Sequence, residues 1–209
     1  MMRFIQSLRL SDVRNHFETG QPCLLLLLSG FCFFSLGCEQ ADLFLPTTDR
    51  QKAGSLQIGH TAPPIEIGTW CHGTPVTQIE SGKLYVIEFW ATWCGPCLTS
   101  MPHLADLQSK YGEQVTFIGV TDESPSQVNA FLNSKSPSGD LWSDVITYRL
   151  GTDDQGKMYQ RYMQAANQRG IPTAFLIGRT NKIEWIGHPL DLDDALNQVS
   201  FTETSSPGE

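Results

Sequence analysis

The sequence predicts an α/β domain with a mixed central sheet and helices on both faces. Three observations carry this. Residues 84–90, Leu-Tyr-Val-Ile-Glu-Phe-Trp, form a nearly continuous apolar run, as a strand covered on both faces requires. A helical-period segment follows it and leads to a second apolar run at 115–120. Late in the chain, two further strand patterns, 173–177 and 183–187, flank the turn sequence Gly-Arg-Thr-Asn-Lys. Strand–helix–strand early, then hairpin and helix late, is the pattern of a mixed sheet.

Residues 65–70 and 75–79 read as a short hairpin, and 84–90 as the first buried strand. A helix is expected from about Cys94 to Tyr111, since Leu98, Met101, Leu104, Ala105 and Leu107 recur at helical spacing. After the strand at 115–120, Ser124 has the chemistry of an N-cap and Pro125 suits a first turn, opening a helix through Leu132. Residues 135–140 are a Ser/Pro/Gly loop, 145–150 alternate as a strand, and 158–166 are helical, ending near Gly170. Met158, Tyr159, Tyr162 and Met163 supply a packed face there. Asp191 is placed to cap a last helix through Val199, and 201–209 form a polar tail.

The chain ahead of this domain is of another kind. Arg3, Arg9 and Arg14 precede an apolar run of residues 23–37. That run is short for a membrane-spanning helix and right for the core of a signal peptide. It ends in Ser35-Leu36-Gly37-Cys38, which resembles the lipobox of bacterial lipoproteins, with Cys38 as the lipidated residue. Ser35 and Leu36 stand in the reverse of the usual order, so an ordinary cleavage site or a short uncleaved anchor is the competing reading. Either way, residues 1–38 read as an export signal, 39–57 as a polar linker and 58–200 as the domain. The domain is expected to work outside the cytoplasm, on a membrane face if Cys38 is lipidated.

Composition excludes some functions. The net charge of −8 argues against a general nucleic-acid surface, and the leader removes more basic than acidic residues. The six cysteines, at 23, 32, 38, 71, 94 and 97, are not one disulfide framework once the leader is set apart.

The chemistry is concentrated in Trp93-Cys94-Gly95-Pro96-Cys97. Two cysteines three apart fit the first turn of a helix, where unpaired N–H groups and a partial positive charge favour thiolate over thiol. Pro96 suits that turn because its missing N–H is not needed there. The rival reading, half a zinc site, needs a second close ligand pair. The adjacent Cys71-His72 does not supply one. Cys71 itself reads as a packed thiol, and His60, His72, His103 and His188 show no ligand spacing.

These residues resemble the thioredoxin superfamily, and within it the exported TlpA/ResA-like thiol–disulfide oxidoreductases. The likeness rests on Gly59-His60-Thr61-Ala62-Pro63, the segment from Phe89 to Cys97, Met101-Pro102 and Gly170-Ile171-Pro172-Thr173. It implies a three-layer thioredoxin-like fold with no cofactor beyond a redox-active Cys94–Cys97 disulfide. Cys94 would be the exposed attacking thiolate, Cys97 the shielded resolving thiol, and Pro172 a cis-proline facing them. Ile171 would offer backbone groups to an extended substrate, with Trp93, Gly95 and Pro96 forming the contact rim. Glu88 stands where thioredoxins place a buried acid that takes the resolving thiol's proton; the competing reading is a solvent-bonded Glu. Related proteins tend to carry Glu three residues after the second cysteine. Here that place is Ser100, which unsettles partner choice and thiol acidity.

The expected function is reduction of disulfides in envelope proteins, with electrons from a membrane donor that the resemblance implies. Two alternatives stand beside it. Cys94 and Cys97 are also suited to holding Cu(I) in a delivery module. A peroxide-consuming enzyme is disfavoured by Ala91, which lies where such relatives carry Thr or Ser.

Overall fold

The computed structural model describes residues 54–201. The export signal, Cys38, most of the linker and the tail beyond 201 lie outside the described residues. Six strands form one sheet: β1 Thr69–His72, β2 Leu84–Phe89, β3 Val115–Thr121, β4 Arg149–Thr152, β5 Thr173–Ile177 and β6 Ile183–Gly187. Their order is β1-β4-β3-β2-β5-β6. β2, β3 and β4 run parallel, whereas β1, β5 and β6 are antiparallel to their neighbours. The fold is thioredoxin-like α/β, with a mixed sheet.

Alternation along the central strands sorts the core into two layers. Leu84, Val86 and Trp90 face helices α1 (Gly95–Tyr111), α2 (Pro125–Leu132) and α4 (Leu192–Phe201), packing with Met101, Leu104, Val128 and Leu196. Tyr85, Ile87 and Phe89 face the opposite way, onto Met158, Tyr162, Met163 and Ile65. That second layer is covered by a π-helical segment, Tyr159–Gln164, where the sequence pattern suggested an ordinary helix. Leu56 is buried in the same layer and donates its N–H to the Ala165 carbonyl at 2.9 Å, so packing begins two residues before Ile58.

Two expected elements differ. No hairpin joins 65–70 to 75–79. β1 instead pairs with β4, Trp70 opposite Gly151, a partner far along the chain. The strand expected at 145–150 begins only at Arg149, because the N–H of Ile146 bonds the Trp142 carbonyl at 2.9 Å and closes a helical turn, α3 (Trp142–Val145). The end of the chain differs in detail: Asp191 closes a short 3₁₀ turn whose cap is the His188 side chain, and α4 starts at Leu192. α2 opens as its sequence indicates, with Ser124 and Gln127 forming a reciprocal capping box.

Beyond β6, the incoming chain lies along the sheet edge. Gly59 donates to the Ile183 carbonyl at 2.7 Å, Ile183 returns a bond to His60 at 2.9 Å, and Ala62 donates to Asn181 at 2.8 Å. Among the described residues no helix is long and apolar enough to cross a membrane.

Candidate active site

β2 ends at Phe89, and the chain turns at the end of the sheet to deliver Cys94 as the N-cap of α1. The turn is closed by the N–H of Cys94, which donates to the Ala91 carbonyl at 3.1 Å. Cys94 and Cys97 are joined by a disulfide with S–S 2.04 Å. The backbone N–H of Cys97 donates to Cys94 Sγ at 3.2 Å. A thiolate at Cys94 therefore meets a first-turn N–H and the positive end of a seventeen-residue helix.

The Ile171–Pro172 peptide is cis, and the Ile171 carbonyl oxygen lies 3.8 Å from Cys94 Sγ. Cys97 is fully enclosed. Cys94, expected to be exposed, is only 4% accessible, because the Ile171 loop and the helix turn close over it in the oxidised state. Trp93 projects into solvent at 74% exposure, and Gly95 and Pro96 are also exposed. Depressions open on both sides of this turn. One, of about 220 Å³, is lined by Trp93, Ile171, Tyr159, Met163, Arg169 and Asp122. The other begins at Gly95 and continues past Leu98 and Pro102 to Trp142. Pro102 lies inside α1, where it leaves the Leu98 carbonyl without its usual helical donor. Ser100 is buried, and its hydroxyl donates to the Cys97 carbonyl at 2.8 Å.

Glu88 is buried at 1% exposure on the α1 face of β2, between two small residues, Gly119 on β3 and Ala174 on β5. Neither carboxyl oxygen has a hydrogen bond of ordinary geometry, and the buried Trp90 Nε1 and Tyr148 hydroxyl share that condition. Burial pushes the Glu88 carboxyl up to about 8, outweighing the opposite pull of the neighbouring Tyr148 hydroxyl. Tyr148 is itself pushed up by burial and by the charge of Glu88. A carboxyl of that affinity is well matched to exchange a proton with a thiol of ordinary acidity, about 8.5.

Other sequence candidates lie elsewhere. Cys71 is a half-buried free thiol on β1, held above its ordinary affinity by burial and by Asp154. His103 approaches Asp193 at 3.0 Å on the outer side of α1 and α4. Among the described residues, no three His, Cys, Asp or Glu side chains converge as a metal site would require.

Two contributors to the site are not apparent in the sequence. Tyr148 reaches Glu88 from a segment sixty residues away, and Glu123 binds Thr92 across 31 residues, so no local spacing reveals either contact.

Comparison with known proteins agrees with this geometry. The sequence model of the AhpC/TSA family matches residues 58–186. Protein FixW of Rhizobium leguminosarum is 31% identical over 156 residues, covering 70% of this chain and 67% of FixW. The thiol-disulfide oxidoreductase ResA of Bacillus anthracis is 30% identical over 163 residues, covering 77% of this chain and 81% of ResA. A thioredoxin-family thiol:disulfide interchange protein from Chlorobium tepidum shares the fold at a TM-score of 0.53 and 21% identity, over 67% of this chain and 97% of that one.

Proposed function

The chain belongs to the AhpC/TSA family of thioredoxin-like proteins, and from that footing we propose that it reduces protein disulfides on the outer side of a cytoplasmic membrane. It is a thiol–disulfide oxidoreductase; the direction, the compartment and the substrate are the proposal. The observation that carries it is Cys94 at the N-cap of α1, its sulfur bonded by the Cys97 N–H and facing the cis Ile171–Pro172 peptide.

In the reduced enzyme, the Cys94 thiolate attacks one sulfur of a substrate disulfide. A mixed disulfide forms, and the first substrate sulfur leaves as a thiolate. Cys97 gives its proton to the minor ionised form of Glu88 and attacks Cys94 Sγ, expelling the second substrate sulfur as a thiolate. Two electrons pass to the substrate, and the pair is left oxidised. A dithiol donor must then reduce it; the expected donor is a membrane protein. The main-chain groups of Ile171 pair with the extended substrate, while Trp93, Gly95 and Pro96 form its contact rim. Gly95-Pro96, the dipeptide of reducing thioredoxins, supports the reducing direction. Lipidation of Cys38 would hold the enzyme at the membrane.

Reduction of insulin disulfides with dithiothreitol as donor tests the mechanism. The wild type accelerates the reaction and Cys94→Ser abolishes it; full activity in Cys94→Ser would overturn the mechanism. Stoichiometric Cu(I) binding without turnover would assign the pair to metal delivery instead. Cys97→Ala should accumulate mixed disulfides whose partners identify the substrate. Loss of labelled-lipid incorporation in Cys38→Ser tests the anchor.

A further inference from the structure

Glu123 stands in the short turn between β3 and α2, held from both sides. Behind it is a buried central strand; ahead of it is the Ser124–Gln127 capping box. Its carboxylate is buried, and the nearby Thr121 hydroxyl donates to Oε2 at 3.3 Å. The same carboxylate reaches across to the turn ahead of Cys94. Oε2 accepts the Thr92 backbone N–H and Oε1 accepts the Thr92 hydroxyl, each at 2.6 Å.

Thr92 is the second residue of the 91–94 turn, which is closed by the bond from Cys94 N–H to the Ala91 carbonyl. At its start, the Trp90 N–H bonds the Val120 carbonyl at 3.1 Å. Between the end of β2 and the first turn of α1, the two bonds to Glu123 tie this turn to the rigid part of the sheet. Charge-assisted bonds of this length are the strong kind, and a paired contact on one residue fixes orientation as well as distance.

We propose that Glu123 is a positioning residue of the redox centre: by gripping Thr92 on two atoms it holds the turn that sets Cys94 as the N-cap of α1, and so maintains the Cys97 N–H contact that stabilises the Cys94 thiolate. This rests on the reading of Cys94–Cys97 as the redox pair. A carboxylate near a thiolate also acts through its charge, in the opposite sense, because like charge disfavours the thiolate. The two effects separate by choice of variant. Thr92→Val loses one bond with no change of charge. Glu123→Gln loses the charge and keeps an acceptor for the Thr92 N–H. Glu123→Ala loses charge and grip together.

The experiment follows the pH dependence of Cys94 alkylation in the reduced full chain, read by mass on the Cys94 peptide so that Cys71 does not contribute, with insulin reduction measured in parallel. Thr92→Val should raise the alkylation midpoint of Cys94 above wild type. Glu123→Ala should lie above Glu123→Gln, with insulin reduction at pH 7 about tenfold slower than in Glu123→Gln. Adding Thr92→Val to Glu123→Ala should change little further. Equal midpoints in Glu123→Ala and Glu123→Gln, or a Thr92→Val midpoint equal to wild type, would overturn the proposal. Should Glu123→Ala fail to fold, Thr92→Val decides alone. A wild type that alkylates with a defined midpoint but reduces no insulin would sink the reductase reading, while the Thr92→Val comparison still decides the role of Glu123.

Discussion

Replacing Glu88 with Gln tests the buried acid through stability alone, without any substrate. The carboxyl's ordinary affinity corresponds to 4.5, and burial lifts it to about 8 in the folded chain. Between those values the folded protein keeps a proton that the unfolded chain has released, so stability falls as pH rises. The stabilisation is complete below pH 4.5 and lost as pH passes through about 8. The slope approaches ~1.4 kcal/mol per pH unit, and the loss accumulated between pH 5 and pH 8 is about 3 kcal/mol. Gln keeps the shape and does not titrate. Urea unfolding of the oxidised protein at pH 5, 6, 7 and 8 should show wild type losing about 3 kcal/mol relative to Glu88→Gln across that range. Glu66, held below the usual carboxylate range by Arg161 and Lys157, gains stability with rising pH only below this window, and does so in both proteins. Parallel pH profiles would mean that Glu88 is ionised in the fold at neutral pH, and the argument for a protonated buried acid would fail.

Further outcomes follow from the same neighbourhood. Tyr148→Phe should stay within about 1 kcal/mol of wild type at pH 5, since the hydroxyl has no well-formed bond to lose. At pH 9 the variant should lose roughly 1–2 kcal/mol more, because the hydroxyl favours the Glu88 carboxylate; urea midpoints at the two pH values measure the difference. Gly119→Ala should cost about 1–3 kcal/mol in urea unfolding, since a Cβ there would sit 2.6 Å from Leu150 Cδ2 and 3.0 Å from Trp90 Nε1. Loss of less than half a kcal/mol would mean that the packing around Trp90 yields easily.

What was legible in the sequence depended on whether its cause was local. α1 announced itself through the period of Leu98, Met101 and Leu104 and through Pro96 at its start. α2 did so through Ser124 and Pro125, and the β5–β6 hairpin through its turn residues. Glu88 stood out because a charged residue inside an apolar strand demands an explanation. β1 and β4 depart from their sequence patterns because each is four residues long and finds its partner across a large chain separation. The π-helical form of 159–164 is not legible because its apolar positions fit ordinary helical spacing as well. The enclosure of Cys94 depends on the Ile171 loop folding back over it, and the grip of Glu123 on Thr92 depends on two turns meeting. Neither is written in any spacing.

The entry segment at residues 59–62, bridged to the β5–β6 hairpin through Thr61 and Lys182, bears on association. A sheet ends in unpaired N–H and C=O groups that invite strands from other chains. Here the start of the β6 edge, at Ile183, and the Asn181 carbonyl in the turn before it are bonded by the chain's own entry segment, through Gly59, His60 and Ala62. The opposite boundary is a four-residue strand with an irregular register between Trp70 and His72. Backbone is thus partly withheld from other chains at one flank, and the other offers only a short, irregular strand.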